Sequence, residues 1–413
     1  MLRSRPVQAT AAALALVVAL TAGSCSSDNS DSAATTSTTV AKLSADAPRW
    51  TGAARSSTPM SAEDSAAIDT MATEALALLP DDPGMWIGIW DPTKGVYTAA
   101  YGSAVLPDTA ATVADHGRIG SLTKTFTATA VLQQIEAGKL SLDDTIADVL
   151  PDLAKEHPDV ADITVAQLLG MTSGIPDYAN TGLVLNQVVA DPSKVWTPSE
   201  IIDLTLTESK LAKPGTPGYS TTNYLILGEM LAEVTGKPVE ESINSVAEAV
   251  QLKGTALLAP QDNSIPPPSS NGYLNAAGVD SLAEAGVTAT PVGDVTDWSA
   301  SWGGAGGSMY STVEDLGTWA SSGFGNTLLG KPTVERRLQT TKVPDAGKYG
   351  LGIIDYGNGW IGHTGQIIGW ASFAFYNTET GATVVAMVNE TGSFIVPLSV
   401  IAEVYPDLAE ALL

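Results

Sequence analysis

Strand-forming sequence stands near both ends of this chain, and helix-forming sequence fills the long stretch between. Two β-rich runs, Met85–Trp90 and Gly95–Tyr101, are joined by Asp91-Pro92-Thr93-Lys94 and read as a hairpin. A helix precedes them, with Ser61 as candidate N-cap and Ile68, Met71, Ala75 and Leu76 as an apolar stripe that stops before Pro80. From Ser121 to Leu329 the patterns are mostly helical, at 121–138, 163–171, 198–207, 222–235 and 312–321, the last capped near Ser311. Strand patterns return at Tyr349–Tyr356, Gly359–Gly362, Trp370–Tyr376 and Ala382–Asn389, and a final helix covers Ile395–Val404. The longest irregular piece, Leu257 to about Ser299, is expected to wall or cover a site. No internal repeat is visible.

Within the middle region, Ser121-Leu122-Thr123-Lys124 is the only S-x-x-K in the chain. On a helix, residues i and i+3 share a face, with Cβ atoms roughly 5–6 Å apart. The surrounding Gly117–Leu140 reads as such a helix, with Phe126, Val131, Leu132 and Ile135 at helical spacing and Gly138 as a stop. Ser121 would then sit in the first turn, where free N–H groups favour developing negative charge. A serine needs a neighbouring base to become a nucleophile. Lys124 serves only if desolvation lowers its pKa by several units, and Phe126 is a neighbour that could supply it.

Three further stretches bear candidate partners. Pro214–Tyr224 is a turn-rich loop carrying Tyr219, and a tyrosine accepts or relays a proton when nearby positive charge stabilises its phenolate. His363-Thr364-Gly365 lies on or beside a late strand, where the glycine permits close backbone approach. Ala305-Gly306-Gly307 supplies glycine turns before a helix. Trp298 and Trp302 are candidates for lining a substrate pocket.

Taken together and in order, these motifs resemble the serine β-lactamase and penicillin-binding-protein family. The resemblance is to the branch of class C β-lactamases, D-alanyl-D-alanine carboxypeptidases and related esterases, and covers nearly all of residues 61–410. It rests on Arg118-Ile119-Gly120-Ser121 with Lys124, Ile163-Thr164-Val165 leading to Thr172-Ser173-Gly174-Ile175, Tyr219, Ala305-Gly306-Gly307 and His363-Thr364-Gly365. It implies an α+β fold: an antiparallel sheet flanked by helices and made from both chain ends, with a helical subdomain inserted at about 125–330. It also implies Ser121 as acylated nucleophile, with Lys124 and Tyr219 sharing the base role. The backbone N–H groups of Ser121 and Gln366 would form the oxyanion hole, and Thr221, His363, Thr364 and Gly365 would face substrate. No cofactor is implied. The middle motif departs from the family's Tyr-x-Asn, because Thr221 stands where the asparagine would, and Asn223 compensates only if the loop is reshaped. No arginine follows Arg337 to hold a substrate carboxylate, which with His363 in place of lysine points to carboxypeptidase-like or esterase-like chemistry. The competing expectation is a member that binds a cell-envelope ligand without turnover.

The first 25 residues form a secretory signal: Arg3 and Arg5, an apolar run at 11–20, then small residues before Cys25. Gly23-Ser24-Cys25 resembles a lipobox, so residues 1–25 are expected to be a lipoprotein signal and Cys25 a lipid attachment point outside the cytoplasm. The 26–60 segment, rich in Ser, Thr and Ala, is expected to be a disordered tether to a catalytic domain at 61–413. With Cys25 the sole cysteine, no intrachain disulfide is available. A formal net charge of −25, with the acids dispersed, argues against nucleic-acid binding. Three scattered histidines and a lone cysteine offer no metal-ligand spacing, and no G-x-S-x-G elbow is present.

Overall fold

Strand β1 (Met85–Asp91) is buried along its whole length, and its side chains divide by parity. Met85, Ile87 and Ile89 join one apolar cluster, while Trp86 and Trp90 join another. A pleated strand does this when both faces of its sheet are covered. The same parity recurs on two later strands: Phe373 and Phe375 oppose Ala374 and Tyr376, and Val384 and Ala386 oppose Val385 and Met387.

The computed structural model describes residues 47–52, 55–80, 82–344, 346–393 and 395–412. Its main sheet has eight strands, all antiparallel to their neighbours. After β1 these are β2 (Gly95–Tyr101), β3 (Thr341–Val343), β4 (Gly347–Tyr349), β5 (Ile354–Gly357), β6 (Trp360–Ile367), β7 (Trp370–Asn377) and β8 (Thr383–Val388), in the order β2-β1-β8-β7-β6-β5-β4-β3. The two ends of the chain meet where Met85 of β1 faces Val388 of β8.

The Ala62–Leu76 helix, capped by Ser61 accepting from Asp64 N, and the Ile395–Val404 helix supply Ile68, Leu76, Val400 and Ile401 to one face of the sheet. Full burial of such a side chain contributes roughly 1.5–3 kcal/mol. The helices between β2 and β3 pack on the other face, centred on the buried Thr123–Glu136 helix, where Phe126 stacks on Trp319. This is the α+β architecture that the resemblance implies, an antiparallel sheet built from both chain ends with helices on each face.

Several expectations need correction. Tyr349–Tyr356 is not one strand: Gly352, at φ +74°, lies in the turn between β4 and β5. Gly359–Gly362 extends through His363-Thr364-Gly365 to Ile367, because the ladder with β7 continues from Trp360↔Asn377 to Ile367↔Trp370. The 257–299 piece holds a nine-residue helix, Ala276–Glu284, capped by Asn275. The cap near residue 312 is Thr312, which accepts from Asp315 N, rather than Ser311. An amphipathic helix at Val239–Ala249 has no counterpart in the sequence reading. Part of the expected 26–60 tether is packed on the domain. Arg49 bridges to Gly330, Trp50 meets Tyr376 edge-on, Pro59 bridges to Val96 and Met60 is buried. Cys25, the signal and residues 26–46 lie outside the described residues.

Candidate active site

The position of Ser121 follows from a tight backbone contact. Gly117–Arg118 pairs with Tyr310–Ser311, and the chain then turns through a 3-10 element, Gly120–Leu122, before the Thr123–Glu136 helix begins. Ser121 therefore lies in the turn that starts the helix, not inside it. Gly120 has φ +53°, and a Cβ there would stand 2.4 Å from the Gln366 amide nitrogen. A Cβ on Gly365 would stand 2.0 Å from the Ile119 carbonyl oxygen. Only glycines permit β6 to press backbone-to-backbone against this turn. That contact brings the Gln366 amide beside Ser121.

Lys124 is fully buried on the first turn of the helix. Its Nζ lies 2.9 Å from Ser121 Oγ, 3.2 Å from Thr221 Oγ1 and 2.8 Å from the Gly306 carbonyl oxygen. The rings of Tyr219 and Tyr224 stand over the amine at 5.0 and 5.6 Å. These rings cover it, whereas Phe126, the neighbour singled out from sequence, is stacked on Trp319. Burial lowers the amine to about 7, against an upward pull from the Asp177 carboxylate. A neutral amine has two N–H bonds and one lone pair. With Gly306 O and Thr221 Oγ1 accepting the first two, the lone pair is left for the Ser121 hydroxyl.

Tyr219 is partly buried, in polar contact with Ser121, and lines the same cleft. Burial holds its phenol well above the usual value, opposed by the Ser121 contact and reinforced by Asp177, Tyr224 and Tyr356. With its phenol held this high, Tyr219 is a neutral hydroxyl placed to relay a proton. His363 is buried against Tyr349 and Tyr219. Its Nδ1 donates to the Thr364 carbonyl at 2.5 Å, which leaves Nε2 to accept from the Tyr349 hydroxyl at 3.1 Å. Burial and the Lys124 charge lower it to about 3, so this imidazole is neutral and brings no cation to the site.

The cleft, about 580 Å³, is lined by Ser121, Tyr219, Thr221, Trp302, His363, Thr364, Gly365 and Gln366, among others. Such a volume suits a small ligand. Trp298 is not among the lining residues: it is partly buried against the core, and its carbonyl accepts from Asn263 Nδ2. Asn223 does not compensate for Thr221. It is fully buried, bonded through Oδ1 to Ser173 Oγ at 2.7 Å and through Nδ2 to Met171 Sδ at 3.7 Å. The Gln366 side chain donates to Ser281 Oγ at 3.1 Å, tying β6 to the Ala276–Glu284 helix at the cleft edge.

Three cleft residues were given no role from sequence. Gly306 supplies the carbonyl on Lys124, and a Cβ there would lie 2.6 Å from Thr221 Cγ2. Asn180, exposed on the Tyr178–Asn180 turn, carries an amide. Asp177 is buried, and its Oδ1 accepts from Thr221 N at 3.0 Å and Ala179 N at 3.1 Å. The only hint in the sequence is its place directly after the Thr172–Ile175 motif and Pro176. Among the described residues no three His, Cys, Asp or Glu gather as a metal site, and no helix is long and apolar enough to cross a membrane.

The β-lactamase family model matches residues 74–397. Penicillin-binding protein 4 of Amycolatopsis lactamdurans is 34% identical over 133 residues, which is 30% of this chain and 31% of that protein. A putative penicillin-binding protein of Bacillus subtilis is 35% identical over 128 residues, 31% of this chain and 29% of the relative. The chain thus spans about a third of the length of these curated relatives. Among solved structures, a D-stereospecific amidohydrolase from Streptomyces aligns at 27% identity and TM-score 0.68, over 81% of this chain and 98% of that one. A D-amino acid amidase from Ochrobactrum anthropi aligns at 25% identity and TM-score 0.70, over 83% and 99%. A buried lysine against a serine, a phenol above them and a family model spanning most of the sequence lead to one conclusion: the chain belongs to the β-lactamase family, among the serine hydrolases that include the penicillin-binding proteins.

Proposed function

We propose that this protein hydrolyses amide or ester bonds of small acyl donors through an acyl-enzyme on Ser121. The observation that carries the reading is the 2.9 Å contact between Ser121 Oγ and the buried, pKa-lowered Lys124 amine. Lys124 takes the Ser121 proton as Oγ attacks the carbonyl carbon. The amides of Ser121 and Gln366 hold the oxyanion, a role that their apposition across Gly120 supports. Tyr219 passes a proton to the departing nitrogen or oxygen, and water then releases the acyl group by the reverse relay. Thr221, Thr364, Gly365, His363 and Trp302 form the walls that the substrate meets. The two solved neighbours named for amide hydrolysis, each covered almost end to end, favour amides alongside esters.

A fluorophosphonate or fluorescent penicillin probe tests the reading. Covalent labelling lost in Ser121→Ala is the expected outcome, and an unlabelled wild-type protein would leave the binder without turnover. The proposal includes export and anchoring through a lipidated Cys25, supported by the charged, apolar and small-residue order of the first 25 residues. Partition of the expressed protein into the detergent phase, abolished by Cys25→Ala, checks this part.

A further inference from the structure

We infer that Asp177 receives a positively charged nitrogen on the acyl side of the substrate, making the enzyme selective for α-amino acyl donors; this rests on the acyl-enzyme reading above.

Asp177 lines the same cleft as Ser121 and Tyr219 and is only 6% exposed. One carboxylate oxygen is satisfied by the Thr221 and Ala179 amides, but Oδ2 is buried with no hydrogen-bond partner. An ionised carboxylate offers about four acceptor positions. Leaving a buried acceptor empty costs about 1–3 kcal/mol, and more when it is charged. Such a defect at a cleft wall is what a ligand donor would repair.

Burial pushes the Asp177 carboxyl up, and Lys124, the Thr221 and Ala179 amides and the Thr221 hydroxyl pull it down. Yet no donor among the described residues lies within hydrogen-bond distance of Oδ2. The Lys124 ammonium or amine is already shared among Ser121, Thr221 and Gly306. Among the described residues that line the cleft there is no lysine and no arginine, and Glu284 adds a second acid to its wall. A substrate carboxylate would find no counter-ion there and would face two acids. A substrate ammonium would meet an unpaired one.

A run of contacts links Asp177 to the serine. Asp177 touches Thr221 N at 3.0 Å, Thr221 Oγ1 lies 3.2 Å from Lys124 Nζ, and Nζ lies 2.9 Å from Ser121 Oγ. In an α-amino acyl group one carbon separates the nitrogen from the carbonyl carbon. With that carbonyl carbon at Ser121 Oγ and its oxygen between the Ser121 and Gln366 amides, a nitrogen directed to the Thr221 side approaches Asp177. The substrate side chain then falls among Leu185, Leu282, Trp302 and Ile368.

The test compares alanine p-nitroanilide of either hand with its N-acetyl derivative at pH 7, where the free α-amino group (pKa about 7.7–8) is largely protonated. Wild-type kcat/KM should favour the free amine by roughly 10-fold or more, the range of one charge-assisted hydrogen bond. In Asp177→Asn the amide oxygen still accepts from the Thr221 and Ala179 amides, so the fold is kept while the charge is removed. This variant should lose that preference, read as the ratio of kcat/KM for the two compounds in one preparation, a ratio that any common shift of Lys124 leaves untouched. Equal wild-type rates on the two compounds, or equal losses on both in the variant, would overturn the assignment while Ser121 still labels with fluorophosphonate. Loss of labelling in the wild type would instead remove the acyl-enzyme reading, and this inference with it.

Discussion

Gly120 and Gln366 meet backbone to backbone, so closely that a methyl group on Gly120 would stand 2.4 Å from the Gln366 amide nitrogen. Gly120 is also held at φ +53°, where an L side chain is strained. Both amides of the proposed oxyanion site depend on this one contact.

Gly120→Ala should therefore damage both stability and chemistry. Backbone strain and the clash with β6 together should destabilise the fold by about 1–3 kcal/mol. Separation of the two amides should lower kcat/KM by roughly 100-fold or more, as for loss of an oxyanion donor. Thermal unfolding and steady-state kinetics on the same preparation measure the two effects.

Activity should rise with pH through a single acid limb near 7, the pH at which Lys124 becomes neutral. His363, lowered to about 3, contributes nothing above pH 4, and Tyr219, raised by burial, adds no alkaline limb below pH 10. Removing the Asp177 charge in Asp177→Asn should move the limb downward, since that carboxylate pulls the lysine up. The pH profile of kcat/KM for an uncharged ester, whose own ionisation cannot intrude, reads all three statements.

The same lysine makes stability depend on pH. Between about 7 and 10.5 the unfolded chain binds a proton at Lys124 that the folded chain does not, so this group's contribution to stability grows as pH rises through that window. Lys124→Met should lack this dependence. Its urea midpoint should exceed that of the wild type most clearly at pH 6, with the gap closing toward pH 10.5. Its acylation rate should fall by about 100- to 10,000-fold, measured as the appearance of acyl-enzyme mass.

Tyr219→Phe separates the two kinds of leaving group. An amide expels a strongly basic nitrogen and needs the phenol's proton, whereas p-nitrophenolate departs without one. Loss of general-acid help should cost about 100-fold or more on an anilide and much less on a p-nitrophenyl ester. An equal loss on both substrates would assign the phenol to serine activation instead.

Thr221→Val keeps the shape and removes the acceptor at 3.2 Å from Lys124. One lost hydrogen bond of about 1 kcal/mol should reduce kcat/KM roughly 5- to 10-fold, without the collapse expected for Lys124→Met. Comparison of the two variants in one assay tests whether Thr221 supports the amine or only packs against Gly306.

Much of this site was readable without coordinates because its signals are local. The Ser121–Lys124 spacing, the glycines at 120 and 365, and the strand order around His363 each follow from backbone sterics over a few residues. Boundaries were read less well. Gly359–Gly362 ended too early because glycine normally weakens a strand, while here Gly362 and Gly365 are retained by cross-strand pairing to Phe375 and Ser372. Trp298 and Trp302 looked alike in sequence, and only packing makes Trp302 a core residue that also lines the cleft and leaves Trp298 partly buried away from it.

Sequence alone determined that a hydroxyl and an amine share the start of a helix, and that strand-forming segments near both chain ends enclose a helical middle. Tertiary structure decided that the amine is buried and its pKa lowered. Its surroundings come from far along the chain: the Tyr219 and Tyr224 rings cover it, and its acceptors Thr221 and the Gly306 carbonyl lie 97 and 182 residues away. Asp177 became visible for the same reason: an empty carboxylate oxygen is defined by the donors that fail to reach it, and no stretch of sequence records where donors end up.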